Sequence, residues 1–230
     1  MAIEVVIFDL DGTLAHFNLD YKALRSEVRT YLISMRVPVS VLDVNESIFE
    51  MLKKVEIFVK NSTKSNEAFE EIRSRALLIA EKYELEAAAT TSLLTGAVET
   101  LKELQKMNLK LGLCTTSSDK ASGYILQRFK IAEYFKVVVS REKVKYVKPH
   151  TEQFELALKA LGAKAKDSLV VGDSVVDMQS AKETKAIAVG LTTGFSSTEQ
   201  LMNGGANYIV TSLTDLPVLI KKINEETTRQ

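Results

Sequence analysis

The sequence predicts an α/β fold: a Rossmann-like parallel sheet core with helices on both faces, plus an inserted all-helical domain. Three observations predict it. Short apolar runs recur without polar alternation, as expected of strands buried on both faces. From about Gly96 to the end, helical stretches separate these runs. Between the first run and that point, only helical periodicity is present.

The first run is Val5 to Phe8, and it leads into Asp9, Leu10, Asp11, Gly12 and Thr13. Asp-Gly is a hairpin signal, but a hairpin needs a second strand directly after it. The following LAHFNLDYKAL has no period-two alternation. Two carboxylates this close repel unless a cation sits between them or one is protonated. An oxygen-only pair suits magnesium, a hard ion. From about His16 to Leu94, three amphipathic faces follow. They are Leu24, Val28, Tyr31, Leu32 and Met35, then Ile48, Met51, Leu52 and Val55, then Phe69, Ile72, Ala76, Ile79 and Tyr83. Polar breaks separate them, notably Asn61 to Asn66, and packing accounts for most of these positions. Ala97, Leu101, Leu104 and Met107 then share one helical face.

In open parallel sheets, ligands bind beyond the carboxyl ends of the strands. The run Leu109 to Cys114 is followed by Thr115, Thr116, Ser117, Ser118 and Asp119. Hydroxyls and backbone N–H groups leading into a helix can cradle phosphate, or simply cap the helix. Val137 to Val139 is followed by REKVKYVKPH, where Pro149 restricts the backbone of Lys148; a solvated basic loop reads the same way. Phe154, Leu158 and Leu161 mark the next helix. Leu169 to Val171 then leads into GDSVVD, with Asp173 after the glycine and Asp177 four residues on, on the same helical face. Asp173 serves equally as a helix cap. The runs Ile187 to Val189 and Tyr208 to Val210 complete the alternation. Four strand ends offering acids, hydroxyls, a lysine and acids again argue jointly for a site.

Composition narrows the class. The 230 residues carry thirty basic and thirty acidic side chains and are 46% hydrophobic, giving no global pull toward nucleic acid or acidic membrane. A single cysteine, Cys114, excludes an internal disulfide and fits a reducing compartment. The amino terminus lacks a signal-peptide pattern, and no apolar run reaches membrane-spanning length. A cytoplasmic protein is expected, as a monomer or homodimer. There is no GxxxxGK[ST] loop and no GxGxxG after a strand. His16 and His150 lack zinc-site spacing.

DLDGT, a threonine ending an apolar strand, Lys-Pro and GDSxxD, in that order, resemble the four motifs of the haloacid dehalogenase superfamily. Within it, the chain resembles the phosphoglycolate phosphatase and β-phosphoglucomutase branch. The resemblance spans essentially the whole chain, with the helical insert corresponding to a type 1 cap. It implies a core domain at residues 1–15 and 95–230 and a cap at 16–94. Asp9 would be the nucleophile and a Mg2+ ligand, and Asp11 the general acid and base, with its backbone carbonyl also on the metal. Gly12 and Thr13 would support this turn. Thr115 and the backbone of Thr116 would hold phosphoryl oxygens, and Lys148 would neutralise them. Asp173 would ligate the metal, and Asp177 would support the lysine or a metal-bound water. In one departure, Thr151 stands where relatives often carry a second proline; Lys143 and Lys145 also lie close to Lys148.

The resemblance implies a magnesium-dependent phosphatase of small organic phosphate monoesters, phosphoglycolate foremost, acting through an aspartyl-phosphate. The second aspartate argues against the dehalogenases of the family, which usually lack it. The alternatives are a phosphosugar mutase and a non-catalytic phosphate sensor. The expected partner is a small phosphorylated metabolite, with neither nucleic acid nor membrane. Closure of the cap would exclude water, with hinges near Ala15 and Thr95-Gly96. Phe17, Asn18, Tyr21 and Arg25 are candidates to reach substrate.

Overall fold

The computed structural model describes residues 2–16, 18–63 and 66–228. Phe17, one of the candidate substrate contacts, lies outside them. Along the chain run β1 (Val5–Phe8), α1 (Tyr21–Ser34), α2 (Ile48–Thr63), α3 (Asn66–Thr90), α4 (Ala97–Lys106) and β2 (Lys110–Cys114). They are followed by α5 (Asp119–Arg128), β3 (Phe135–Val139), α6 (Glu152–Leu161), β4 (Ser168–Gly172), α7 (Val175–Thr184), β5 (Ile187–Leu191), α8 (Thr198–Gly204), β6 (Tyr208–Val210) and α9 (Leu216–Thr228). The described residues form two compact units: 1–17 with 90–230, and 18–89.

The first unit is built on one six-stranded sheet in the order β3-β2-β1-β4-β5-β6. Every neighbouring pair is parallel. β1 lies between β2 and β4 in the middle of the sheet, and successive residues, which point to opposite faces, are all buried. That is why Val5 to Phe8 shows no alternation. Phe8 pairs with Leu113 on one side and Val171 on the other. The residues just beyond these strands, Asp9, Thr115 and Asp173, therefore emerge within one step of the same level. α4 buries Ala97, Thr100, Leu101 and Leu104. Met107, expected on that face, is its C-terminal cap and only half-buried. α6 buries Phe154, Ala157, Leu158 and Leu161 and stops at Gly162, which takes the left-handed conformation.

The second unit has its own apolar core. Leu24, Val28 and Leu32 of α1 meet Ile48, Met51, Leu52 and Val55 of α2 and Phe69, Ile72 and Ala76 of α3, with Tyr31, Ile79 and Tyr83 packed at the margin. Met35 departs from its expected place on the first face. It caps the end of α1 and is 41% exposed. Tyr21 and Arg25 stack on one another, with the guanidinium 4.1 Å from the ring centre. Arg25 also donates to the carbonyl of Asn45 at 2.9 Å.

The residues expected to be hinges are tied within the first unit. Ala15 is fully buried and forms an antiparallel bridge with Leu93. The Leu94 N–H donates to Leu14 O, and the His16 N–H donates to Ser92 O, each at 2.9 Å. The Thr91 hydroxyl donates to His16 O at 2.7 Å. Gly96, at φ 82°, caps α4. No described helix is long and apolar enough to cross a membrane.

Ile7 is wholly buried in the central strand, whereas Val218 on α9 is 69% exposed. Ile7→Ala is expected to cost about 2–5 kcal/mol through lost burial and the cavity left behind. Val218→Ala should stay within about 0.5 kcal/mol. Urea unfolding of the two variants checks the contrast.

Candidate active site

The carboxyl ends of β1, β2 and β4 converge on one buried ion network. Lys148 Nζ donates to Asp9 Oδ1 and Asp177 Oδ1 at 2.6 Å each, and to the Cys114 carbonyl at 3.0 Å. Lysine is almost never fully buried unless paired, and here Lys148 is 5% exposed between two buried partners. Of the lysines in this loop, Lys143 pairs instead with Asp119 at 2.9 Å and Lys145 lies over the Tyr146 ring. Lys148 reaches inward through a loop whose Lys148-Pro149 peptide is cis.

Asp173 completes the acidic group: one carboxylate oxygen from each of Asp9, Asp173 and Asp177 lies within 4.8 Å of the others. Asp173 accepts the Thr13 hydroxyl at 3.0 Å and the Phe195 N–H at 2.7 Å. It is not the cap of α7. Ser174 caps that helix in a box with Asp177, whose Oδ2 accepts from both the Ser174 hydroxyl and its N–H. Asp177 thus faces the ammonium with one oxygen and its own helix start with the other. Gly12 (φ 86°) and Gly194 both lie against the Asp173 carboxylate, where any side chain would collide with it.

Burial pushes the Asp9 carboxyl well up; Lys148 opposes the shift, while Asp177, Asp173 and Asp11 add to it. Asp173 is pushed up to about 6, first by burial and then by Asp177, against the donors Phe195 and Thr13. Burial draws Lys148 down, but Asp177 and Asp9 outweigh it and hold the ammonium above the usual lysine range. Burial raises the Cys114 thiol, which donates to the Gln153 carbonyl at 3.4 Å; it is a core group.

The loop after β2 divides its labour. Ser118 caps α5 by accepting from Ala121 N at 3.2 Å. Thr115 is buried at the strand end, and its oxygen accepts the Ser117 N–H at 3.1 Å. Its hydroxyl proton is therefore the part left to offer a ligand. Thr116 is half-buried, and the guanidinium of Arg141 lies 3.5 Å from its carbonyl. The Ser117 hydroxyl donates to Asp11 Oδ2 at 2.6 Å. Asp11 is not one of the three clustered carboxylates.

Sequence reasoning passed over three contributors. Gln153 is fully buried between strand ends. Arg141 is 1% exposed beneath the Thr116–Ser117 backbone. The loop after β5 brings Phe195 N to Asp173 and the Thr193 hydroxyl to within 3.5 Å of the Gly12 carbonyl. The strand-end rule, applied to Ile187 to Val189, would have found the last of these.

The donor set fits a hard divalent cation. It offers only oxygen. Three formal negative charges face one ammonium, so the cluster carries an excess that a cation would cancel. Burial is the main reason the Asp9 and Asp173 carboxyls are raised, and the neighbouring acids add to it.

Comparison with known proteins gives a consistent result. A family model described as haloacid dehalogenase-like hydrolase matches residues 3–184. Pyrophosphatase PpaX of Bacillus cereus (strain G9842) is 30% identical over 229 residues, covering 97% of this chain and 99% of that one. Among solved structures, a hydrolase from Pseudomonas syringae superposes with a TM-score of 0.68 at 27% identity, covering 96% and 99% of the two chains. A protein described as a predicted phosphatase from Clostridium acetobutylicum gives 0.68 at 25% identity, covering 96% and 100%.

A carboxyl raised on folding binds its proton more tightly in the native state, so its contribution to stability falls as pH rises. For Asp173 the window runs from the unfolded value, about 4, to about 6. In chelator, the stability difference between Asp173→Asn and wild type should move in the variant's favour by up to roughly 3 kcal/mol across that window. Urea unfolding at each pH measures it, and a divalent cation should reduce the shift.

Proposed function

The chain belongs to the haloacid dehalogenase-like hydrolase family, and from that premise we propose that it is a magnesium-dependent phosphatase of small organic phosphates, working through an aspartyl-phosphate on Asp9. The observation that carries this reading is the Lys148 ammonium held between Asp9 and Asp177 at the strand ends. A nucleophilic carboxylate can approach an anionic phosphoryl group only where that charge is opposed.

Asp9 and Asp173, with the backbone carbonyl of Asp11, would hold Mg2+, which when bound supplies positive charge to the phosphoryl oxygens. Lys148 adds a fixed cation on the same side, and Asp177 keeps it charged and in place. The Thr115 hydroxyl and the Thr116 backbone hold phosphoryl oxygens. An Asp9 carboxylate oxygen attacks phosphorus and the bond to the leaving oxygen breaks. That oxygen takes its proton from Asp11, which the Ser117 hydroxyl orients. Asp11, now ionised, removes a proton from water as the water attacks the aspartyl-phosphate. Inorganic phosphate leaves and both carboxyls return to their starting states.

Phosphoglycolate-like monoesters are the leading substrates. Pyrophosphate is a second reading, favoured by the relatives named pyrophosphatase at 30% identity along nearly the whole chain. In a mutase, an isomeric sugar phosphate would accumulate in place of inorganic phosphate. A sensor would bind without turnover and has no use for a second carboxyl beside Asp9. We further propose a cytoplasmic location, a monomer or homodimer, and a small phosphorylated metabolite as partner; the balanced charge and the single cysteine support this reading.

Assay of p-nitrophenyl phosphate, phosphoglycolate and pyrophosphate with and without magnesium tests the reading. Phosphate release should require the metal, vanish with chelator and fall to background in Asp9→Asn. Asp11→Asn should lose about 10²- to 10⁴-fold in kcat. Binding without turnover, or an isomerised product without free phosphate, would overturn it.

A further inference from the structure

We infer that Gln153 is a positioning residue for the phosphate-handling groups, fixing Lys148 and Thr115 at one mutual spacing by binding the backbone of both. The inference rests on the phosphatase reading above. Gln153 lies in the first turn of α6 and is fully buried. Its amide Nε2 donates to the Thr115 carbonyl at 2.7 Å and to the Val139 carbonyl at 3.1 Å. Its Oε1 accepts the Lys148 N–H at 3.1 Å. A primary amide has two N–H donors and one carbonyl acceptor; here both donors and the acceptor are engaged, each on a different chain segment.

The place of these bonds in the fold gives them their meaning. Thr115 N, just past the end of β2, donates to the carbonyl of Val139, the last residue of β3, at 3.0 Å. Past that point Gln153 carries the connection onward to the lysine loop. Lys148 is consequently held at both extremities, its backbone N–H by Gln153 and its Nζ by Asp9, Asp177 and Cys114 O. The neighbouring Glu152 also binds this loop, at the N–H groups of Lys145 and Tyr146, but among its described bonds none reaches Thr115. Gln153 joins the two groups that meet a phosphoryl oxygen. A misplacement of about 1 Å at such groups costs on the order of 10²-fold in rate.

Two substitutions separate positioning from space-filling. Gln153→Met keeps the length and approximate volume and removes every hydrogen bond. Gln153→Glu keeps the shape and the acceptor for Lys148 N–H but turns a carboxylate oxygen toward two carbonyls. With p-nitrophenyl phosphate and magnesium, at a temperature where circular dichroism shows the variant folded, kcat should fall about 10- to 100-fold in Gln153→Met and further in Gln153→Glu. KM should change less than about threefold, because the displaced groups act on the transition state. The two variants remove different interactions, so one folded variant suffices. A kcat for Gln153→Met within about twofold of wild type would overturn the inference, since a residue that only fills space tolerates methionine. Should wild type hydrolyse no phosphate at all, the phosphatase reading falls, and hydrogen exchange alone decides this one. Exchange of the Lys148 amide at least about tenfold faster in the variants, with the β1 amides unchanged, supports it; unchanged Lys148 protection overturns it.

Discussion

Three carboxylates and one ammonium are buried together at the ends of β1, β4 and the Lys148 loop, and their charge imbalance constrains most of what surrounds them. Burying ions is expensive unless each is paired and its remaining lone pairs are satisfied. The fold answers with donors from every side. Thr13 and the Phe195 N–H serve Asp173, Ser174 serves Asp177, and Lys148 serves Asp9 and Asp177. Glycines 12 and 194 lie against Asp173 because nothing larger fits. Even so, one lysine does not balance three acids. The residual negative charge and the all-oxygen donor set are what a hard cation would need.

The parallel sheet is what allows so few residues to carry so much. Strands whose ends emerge at one level deliver Asp9, Thr115 and Asp173 together although they are distant in sequence. The hydrogen-bonded ladder determines the spacing, so the chemistry is held by backbone rather than by flexible side chains. Asp11, two residues past Asp9, falls outside the carboxylate cluster and accepts the Ser117 hydroxyl.

Much of this was legible in the sequence, for a physical reason. A strand covered on both faces must be apolar at successive positions, so Val5 to Phe8 declared itself, and the acids interrupting it stood out. Lys148, Asp173 and Asp177 were visible as charged residues at strand ends. Gln153 was not: on an amphipathic helix a glutamine reads as surface, and its burial depends on three carbonyl and amide partners that only the tertiary structure assembles. Ser117 looked like one more cap, because its link to Asp11 joins residues 106 apart in sequence. Met35 and Met107 fit their periodic faces but fell at helix ends, where the period no longer decides burial. The loop holding Phe195 escaped notice because it contributes a backbone N–H, which every residue but proline possesses.

The paired segments at residues 14–16 and 92–94 have an architectural consequence. Where the chain departs from the sheet unit and where it returns, the backbone is already hydrogen-bonded to itself. To the sheet unit, everything between these points is equivalent to a loop with its ends pinned, and loop-closure entropy grows only slowly with length. The sheet unit is therefore nearly indifferent to the size of what it carries, so the insert is free to diverge while the catalytic scaffold stays constant.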